Sequence, residues 1–380
     1  MTNEVLQKTA SDEQNVSSSN GLEPRLRFPS FDNKWTLTTI GNVCAFTNGK
    51  AHEQNVVEYG EYIIVNSKFI SSDGVVKKYS NKQICPLFKN DIVMVMSDVP
   101  NGKAMSKCFC IDKDNKYTLN QRICALRTKQ IPLYYMMQIN RNDYFMKFDD
   151  GVKQTNLRKD DVLACPVYST TIKEQTKIAD FLSLIDQRIE KQRRLVESLK
   201  KYKRGALSRV FNDVLETVKL SDISNFISSA RTLSTTLNGN KGIYPVYDAA
   251  GIAGYIDYYD IDSDYITIVK DGSGVGRLQK CDKKSSFIGT LGALVAKNCT
   301  TDFLYAVLQT IDFSKFVTGM AIPHIYYRDY KSTLLPFPSE EKQHFISQLL
   351  KKFDIYIENE TQKLTNMLAY KQGLLQQMFI

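Results

Sequence analysis

The sequence predicts an α+β protein in which two β-rich domains are separated by two long helices that pair as an antiparallel coiled coil, forming a pseudo-twofold repeat. Three observations predict this fold. The 380 residues exceed one ordinary core, a long segment occurs twice, and apolar residues in both copies follow a coiled-coil spacing. We expect a disordered tail over 1–24, β-rich domains over 25–168 and 214–336, and long helices over 169–213 and 337–380.

The repeat is visible in the letters of the chain. YKRGALSRVF at 202–211 returns as YKQGLLQQMF at 370–379. The same offset holds upstream, where Gln175 meets Gln343 and Asp186 meets Asp354. A repeat of this length predicts two copies of one supersecondary unit.

Both copies carry an apolar row whose steps alternate between four and three residues. This mean period of 3.5 is the seam of a coiled coil. Pro166 stands before the first row and Pro338 before the second, as expected near helix starts. The first row is Ile178, Leu182, Ile185, Ile189, Gln192, Val196, Leu199, Lys203, Ala206 and Val210; the second is Ile346, Leu350, Phe353, Ile357, Glu360, Leu364, Met367, Lys371, Leu374 and Met378.

The centre of each row is polar, Gln192 in the first and Glu360 in the second. In an antiparallel pair these two side chains meet. A buried polar pair costs stability but penalises slipped pairings, which predicts a register function for the two residues. The alternative is that both face solvent where the helices splay.

The β-rich domains also resemble each other. Leu37 and Ile40 match Leu220 and Ile223 near the two domain starts. IVMVMSDVPNGK at 92–103 resembles ITIVKDGSGVGR at 266–277, which matches Lys103 with Arg277. Each of these stretches is a β-rich run followed by a Gly/Pro loop that a basic residue closes.

Composition narrows the class of protein. Fifty Lys and Arg against 41 Asp and Glu give a net charge of +9, which favours an anionic partner such as nucleic acid, although a merely soluble basic protein fits as well. The eight cysteines lack paired spacing and no signal peptide precedes them, so reduced thiols and a cytoplasmic location are expected. No apolar run reaches the roughly 18 residues that a membrane helix needs.

The sequence offers no catalytic or metal-binding motif. KDGSGVGR at 270–277 lacks the GK[ST] ending of a phosphate-binding loop. His52, His324 and His344 lie in separate segments without ligand spacing. We therefore predict no catalytic residue, no metal site and no cofactor on this chain.

Loops of the two domains combine basic, amide and aromatic side chains, the groups that grip phosphates and read base edges. For each of them, an ordinary solvated loop residue is the competing interpretation. The predicted DNA-contact residues are Lys103, Gln154, Asn156, Arg158, Arg277, His324 and Arg328.

Three stretches resemble one known family. The opening RLRFPSF…W at 25–35, the segment EQTKIADFLSLIDQRIE and its weaker echo KQHFISQLLKKFDIYIE are similar to specificity subunits of type I restriction-modification enzymes. The resemblance implies that each β-rich domain is a target recognition domain for one half of a bipartite, asymmetric DNA site. It departs at the second opening, VKLSDIS, which has no Trp to match Trp35.

The same resemblance implies the partners. Double-stranded DNA is one of them, and the helices would set the spacing between half-sites and dock two modification subunits. S-adenosylmethionine, ATP and Mg²⁺ are then expected on modification and restriction subunits. The alternatives are a coiled-coil scaffold whose globular domains bind proteins, and an enzyme that acts on DNA alone.

Overall fold

The structure is a computed structural model that describes residues 23–98, 103–130, 132–149, 151–228, 237, 242–272, 274–319 and 322–379. Residues of the expected tail before Glu23 lie outside this description. The chain divides into two compact units, Met1–Glu190 with Thr365–Ile380, and Lys191–Leu364. Each unit takes part of both long helices, whereas the expected domain boundaries keep each helix whole; those boundaries stay a prediction.

Among the residues that the structure describes, the first unit contains twelve strands and four short helices before the long helix begins. The strands are β1 Thr36–Thr39, β2 Cys44–Asn48, β3 Val56–Val57, β4 Tyr62–Val65, β5 Tyr79–Ser80, β6 Ile92–Val95, β7 Ser97–Asp98, β8 Cys108–Cys110, β9 Tyr117–Leu119, β10 Ile123–Thr128, β11 Thr155–Asn156 and β12 Pro166–Ser169. The helices are α1 Ile40–Val43, α2 Ser67–Ser71, α3 Leu133–Asp143 and α4 Lys159–Leu163, with 3₁₀ turns at Glu53–Asn55 and Phe145–Phe148.

A central sheet of the first unit has the order β2-β10-β6-β8, and its inner strand β6 is buried on both faces. Successive side chains of a strand point to opposite faces. On β6, Met94 therefore joins one core with Phe145, while Val93 and Val95 join another with Phe69. A second sheet, β3-β5-β4-β9, and the pairs β1-β12 and β7-β11 complete the unit.

The second unit repeats this plan, with fewer strands among its described residues. They are β13 Thr217–Lys219, β14 Ser224–Ile227, β15 Tyr244–Asp248, β16 Gly251–Ile256, β17 Tyr265–Val269, β18 Leu278–Cys281, β19 Ser286–Phe287, β20 Leu291–Ala296 and β21 Leu334–Pro336. The long helix α5 Ile172–Asn212 precedes them; α6 Leu220–Ile223, α7 Thr301–Leu308, α8 Tyr327–Tyr330, a 3₁₀ turn at Phe313–Phe316 and the long α9 Glu340–Met378 follow in chain order.

The central sheet of the second unit has the order β14-β20-β17-β18. Its inner strand β17 is buried on both faces, with Ile266 and Ile268 in one core and Tyr265 and Val269 in the other. The sheet β16-β15-β19 lies in the unit beside it, and β13 pairs with β21. The predicted repeat of one β-rich domain is thus confirmed by matching sheet orders.

The long helices α5 and α9 contain 41 and 39 residues. Every residue of the two predicted apolar rows is buried or half-buried. In the second unit, Gln192 bonds Glu360 and the ring of Tyr202 packs 5.7 Å from that of Phe353, so numbers rise along one helix as they fall along the other. The predicted antiparallel coiled coil is confirmed.

One detail of the predicted match between domains is wrong. Helices α1 and α6 each follow the first strand of their domain, which makes Ile40 the counterpart of Leu220. The comparison of the two domain sequences instead matches Leu37 with Leu220. Both starts repeat an apolar residue every three positions, as Leu37, Ile40 and Val43 do, so a shift of three residues keeps the pattern and hides the error.

Candidate nucleic-acid interface

In the first unit, the predicted contact residues collect around a short two-stranded ribbon. β11 pairs antiparallel with β7, directly after the central strand β6, with Asn156 opposite Ser97 and Thr155 opposite Asp98. Leu157 N continues the ladder by donating to Met96 O at 2.7 Å. The ribbon joins the loop after the central strand to the segment that leads into α4.

Side chains of this ribbon alternate between core and solvent. Thr155 and Leu157 are buried, whereas Gln154 and Asn156 are exposed. Because residues two apart in a strand share a face, Gln154 and Asn156 point the same way. Gln154 Nε2 donates to Ser97 Oγ at 2.8 Å, and Ser97 Oγ donates to Asn156 Oδ1 at 2.6 Å.

We call the pairing of the segment after the central strand with the later segment the junction of each domain. The second unit has the same junction with other side chains. Asp271 and His324 form an antiparallel β-bridge through their backbones, and Ile325 N donates to Lys270 O at 3.0 Å. These bonds put His324 at the place of Asn156 and Asp271 at the place of Ser97. Two domains of one chain therefore share a frame and differ in the groups that it presents.

An aromatic and basic cluster follows this second junction. The His324 ring lies 4.9 Å from the Tyr326 ring in an edge-on arrangement. Arg328 Cζ lies 4.8 Å from the centroid of the same Tyr326 ring, and the Arg328 side chain is 76% exposed. The structure thus brings together His324 and Arg328 and holds the guanidinium through a cation–π contact.

The predicted pairing of Lys103 with Arg277 is wrong. Gly276 N and Arg277 O bond Val269 in the second unit, and Ser106 N and Lys107 O bond Val95 in the first. The counterpart of Arg277 is therefore Lys107. The connection in the first unit is longer, and a comparison by the nearest basic residue stops too early.

Both predicted basic residues are nonetheless exposed. Lys103 stands at the end of its loop, where its backbone oxygen accepts from Arg141. Arg277 Nη1 donates to Ala249 O at 3.0 Å. Their contact with DNA stays a prediction.

Arg158 has a local task. It precedes α4 as its N-cap residue, and its guanidinium and backbone N–H both donate to Asp161. This hydrogen bonding holds the pKa of Asp161 below its usual range. The Arg158 side chain is still 82% exposed, so one edge of the guanidinium faces solvent.

Two members of the interface were absent from the predicted set, Ser97 and Tyr326. Ser97 is buried and follows an apolar strand, which makes it unremarkable in the sequence. Its place opposite Asn156 depends on strand register, and no short-range pattern reports that. Tyr326 stands two residues from both His324 and Arg328, a spacing that could have marked it.

The two predicted register residues are in contact. Gln192 Nε2 donates to Glu360 Oε2 at 2.6 Å and to Glu360 O at 2.9 Å. Hydrogen bonds from Lys363 and then from Gln192 lower the pKa of Glu360, so its carboxylate stays charged. Whether the pair selects the register stays a prediction.

Ion pairs between the long helices repeat in each unit. Asp186 Oδ1 lies 2.7 Å from Lys371 Nζ in the first unit, and Asp354 Oδ1 lies 2.5 Å from Lys203 Nζ in the second. Both partners of one pair map onto those of the other at 168 residues, the offset that also separates Gln192 from Glu360. Tyr135 of α3 donates to Asp186 at 3.1 Å and so ties the first domain to its helices.

The cysteine thiols of the first unit are partly or fully buried. Burial raises the pKa of Cys44 to about 11 and those of Cys124 and Cys165 to about 12. These thiols are protonated at neutral pH. In the parts of the chain that the structure describes, no helix combines the length and apolar character that a membrane crossing requires.

The two domains share one backbone arrangement at their junctions but carry different polar and basic side chains there. This arrangement, together with the paired helices, defines a duplicated recognition protein. The sequence matches the family of type I restriction modification DNA specificity domains twice, over residues 32–200 and 212–368. These matches cover most of the chain. The chain belongs to this family and carries two copies of its domain.

Curated relatives carry the same description. A putative type I specificity subunit of Mycoplasma pneumoniae is 29% identical over 151 residues, which are 38% of this chain and 49% of the relative. The EcoprrI specificity subunit of Escherichia coli is 27% identical over 115 residues, 30% of this chain and 28% of the relative. The matched part thus spans about half or less of these two relatives.

The fold has been seen before. The S subunit of a type I restriction-modification system from M. genitalium aligns with a TM-score of 0.58 at 19% identity, covering 94% of this chain and 99% of that one. A chain from a structural study of complex assembly in the type I system aligns with a TM-score of 0.50 at 15% identity, covering 90% and 96%. These likenesses establish the fold.

Proposed function

We propose that this chain is the DNA sequence-specificity subunit of a type I restriction-modification complex. Each domain reads one half of a bipartite DNA site, and the paired helices set the distance between the halves. The observation that carries the proposal is the shared junction with different side chains, Asn156 in one domain and His324 in the other. Two unlike readers on one chain select an asymmetric site, whereas a homodimer selects a palindrome.

The proposed complex divides the chemistry among subunits. Two modification subunits dock on the long helices and methylate adenine with S-adenosylmethionine, and restriction subunits use ATP and Mg²⁺. This chain supplies the DNA sequence specificity and carries out no catalytic step. The ion pairs Asp186–Lys371 and Asp354–Lys203 support two equivalent docks, because they give both units the same helix pairing.

Electrostatics suit a DNA partner. The net charge is +9, and Lys103, Arg277 and Arg328 are exposed near the two junctions. Contacts of Lys and Arg with phosphates position a protein on DNA, while amide and aromatic groups discriminate bases. We therefore expect DNA binding that weakens steeply with salt.

The test is a methylome. The chain is produced with the modification subunit of its host in cells that lack adenine methylation, and methylated adenines are mapped by single-molecule sequencing. We expect one bipartite, asymmetric motif that disappears when this chain is omitted. Methylation that does not depend on the chain, or a motif with a single continuous block, overturns the proposal.

The role of the helices has a separate test. One heptad centred on Gln192 and one centred on Glu360 are deleted together, which preserves the 3.5-residue phase of both rows. At 1.5 Å per residue the deletion removes about 10 Å, which corresponds to roughly three base pairs at 3.4 Å each. The spacer should shorten while both half-sites persist; an unchanged spacer refutes the spacing role.

A further inference from the structure

The exposed face of the β7–β11 ribbon carries a directed chain of hydrogen bonds. Ser97 has one hydroxyl proton, and Asn156 Oδ1 receives it at 2.6 Å. The Ser97 oxygen can then only accept from Gln154, whose Nε2 lies 2.8 Å away. The chain runs from Gln154 through Ser97 to Asn156, and it fixes the amide of Gln154 with nitrogen inward.

This order leaves a defined pair of groups facing outward. Oε1 of Gln154 has no hydrogen-bond partner among the residues that the structure describes. The second N–H of the amide makes only a long contact of 3.4 Å with Asn156 Oδ1. Gln154 therefore offers one acceptor and one donor side by side, on an exposed residue.

The rest of the ribbon keeps this amide in place. Thr155 Oγ1 donates to Asp149 Oδ1 at 3.0 Å, and Leu157 is buried. The residues on either side of Asn156 are therefore anchored on the core side of the ribbon. A side chain that is held in its binding geometry loses less conformational entropy when it binds. The ribbon is also the kind of element that fits a major groove, which admits two antiparallel strands.

We infer that Gln154 reads an adenine in the major groove of the half-site bound by the first domain, with Ser97 and Asn156 as its positioning residues. This inference rests on the proposed function. Adenine presents the N7 acceptor and the N6 amino donor, which match the donor and acceptor of one amide. Guanine presents two acceptors and would leave Oε1 opposed by a second oxygen.

The second domain supplies an internal contrast. Counting back two residues from His324, the place of Gln154 is taken by Ile322, and Asp271 stands where Ser97 does. An aliphatic side chain cannot make the amide pair. The adenine contact therefore belongs to one half-site only.

The experiment uses the complex with the modification subunit and a DNA library with randomised half-sites, read by adenine methylation. Gln154→Glu replaces both N–H donors of the amide, the inward one to Ser97 and the outward one, by a charged acceptor and keeps the shape of the side chain. We expect discrimination for A·T at one position of one half-site to fall roughly 5- to 150-fold, the range of one bidentate base contact. The other half-site and the spacer should not change.

Ser97→Ala provides a second readout if Gln154→Glu lowers methylation altogether. It leaves Gln154 in place without its anchor, so preference at the same position should relax while the remaining positions and the total methylation hold. A purely structural role would instead lower methylation of every site alike. Gln54→Glu, the same substitution at an exposed residue of the same domain, is the matched control and should leave the motif intact.

The outcomes separate the two proposals. A bipartite wild-type motif that Gln154→Glu leaves unchanged, or changes at a G·C position, overturns the adenine contact while the proposed function stands. Absence of any bipartite motif for the wild-type complex overturns both. Relaxation of one A·T position by both Gln154→Glu and Ser97→Ala supports the inference.

Discussion

A buried ion pair in the first unit should control its stability. The side chain of Glu174 is fully enclosed, and Arg27 binds it with two nitrogens, at 2.7 and 2.9 Å. Thr170 Oγ1 and Trp35 Nε1 donate to the same carboxylate at 2.5 and 3.3 Å. The substitution Arg27→Met removes the charged partner and keeps much of the apolar stem.

Removal of one partner leaves an uncompensated charge in the interior, which typically costs about 3–5 kcal/mol. Since Thr170 and Trp35 still donate to Glu174, we expect a loss near the lower end, about 3 kcal/mol. The double variant Arg27→Met/Glu174→Gln removes the stranded charge. Its loss should therefore be smaller than that of Arg27→Met alone.

The pH dependence follows from the same contacts. Burial raises the pKa of Glu174, but the hydrogen bonds from Arg27 and Thr170 and the charge of Arg27 outweigh it, so the pKa falls below its ordinary 4.5. Because the folded-state pKa is lowered, the stabilisation is complete above the ordinary value. It is lost as the pH falls through the folded-state pKa, and Glu174→Gln should remove this dependence.

The assay uses the only tryptophan of the chain, Trp35. Its indole lies against Phe379, with ring centroids 6.2 Å apart, and both residues belong to the first unit, so its fluorescence reports unfolding of that unit. Urea titrations of each variant give the free energy of unfolding. Glu341→Gln, an exposed carboxylate in the first turn of α9, is the control and should change the midpoint little.

The reasoning fails if Arg27→Met costs less than about 1 kcal/mol, the range of an exposed pair. It fails equally if Arg27→Met and Glu174→Gln act additively, because groups in direct contact should show coupling. Circular dichroism follows the helices of both units and detects a variant that does not fold at all.

Two further outcomes concern the long helices. Lys371→Met should lower the free energy of unfolding that Trp35 reports by roughly 1 kcal/mol, whereas Lys203→Met, which breaks the equivalent pair in the second unit, should leave that free energy unchanged; equal effects of both would contradict the separation of the units. Gln192→Leu with Glu360→Leu should stabilise the helix pair and broaden its register, measured as new disulfide cross-links between cysteines placed on α5 and α9. A single cross-linked register in this double variant would refute the register role.

The sequence predicted the helices well because their determinants are local. A 3.5-residue period, proline before each row and a repeat at a fixed offset specify pairing without any distant information. The offset of 168 residues holds for Gln192 and Glu360 in the structure as in the sequence. The same repeat explains why the Asp–Lys pair occurs in both units, because each lysine occupies the eighth position of its apolar row.

The interface was harder to predict because its members meet through strand register. Ser97 faces Asn156 only after β7 and β11 pair, across 59 residues of chain. The mistaken match of Lys103 with Arg277 has a related cause. The connection between the central strand and the next strand differs in length between the two domains. The backbone partner of Val95 is therefore Lys107, and no residue type in the sequence marks it.

These two kinds of determinant also separate two tasks of the chain. Residues of the helices must fit each other, and the same Asp–Lys pair occurs in both units, as Asp186–Lys371 and Asp354–Lys203. Residues on the outer face of the junctions contact side chains of their own junction, and these differ between the domains: Asn156 contacts Ser97 in the first, and His324 contacts Tyr326 in the second. A protein built this way can change what one domain reads without altering how its helices pair, and the prediction for Gln154→Glu rests on that independence.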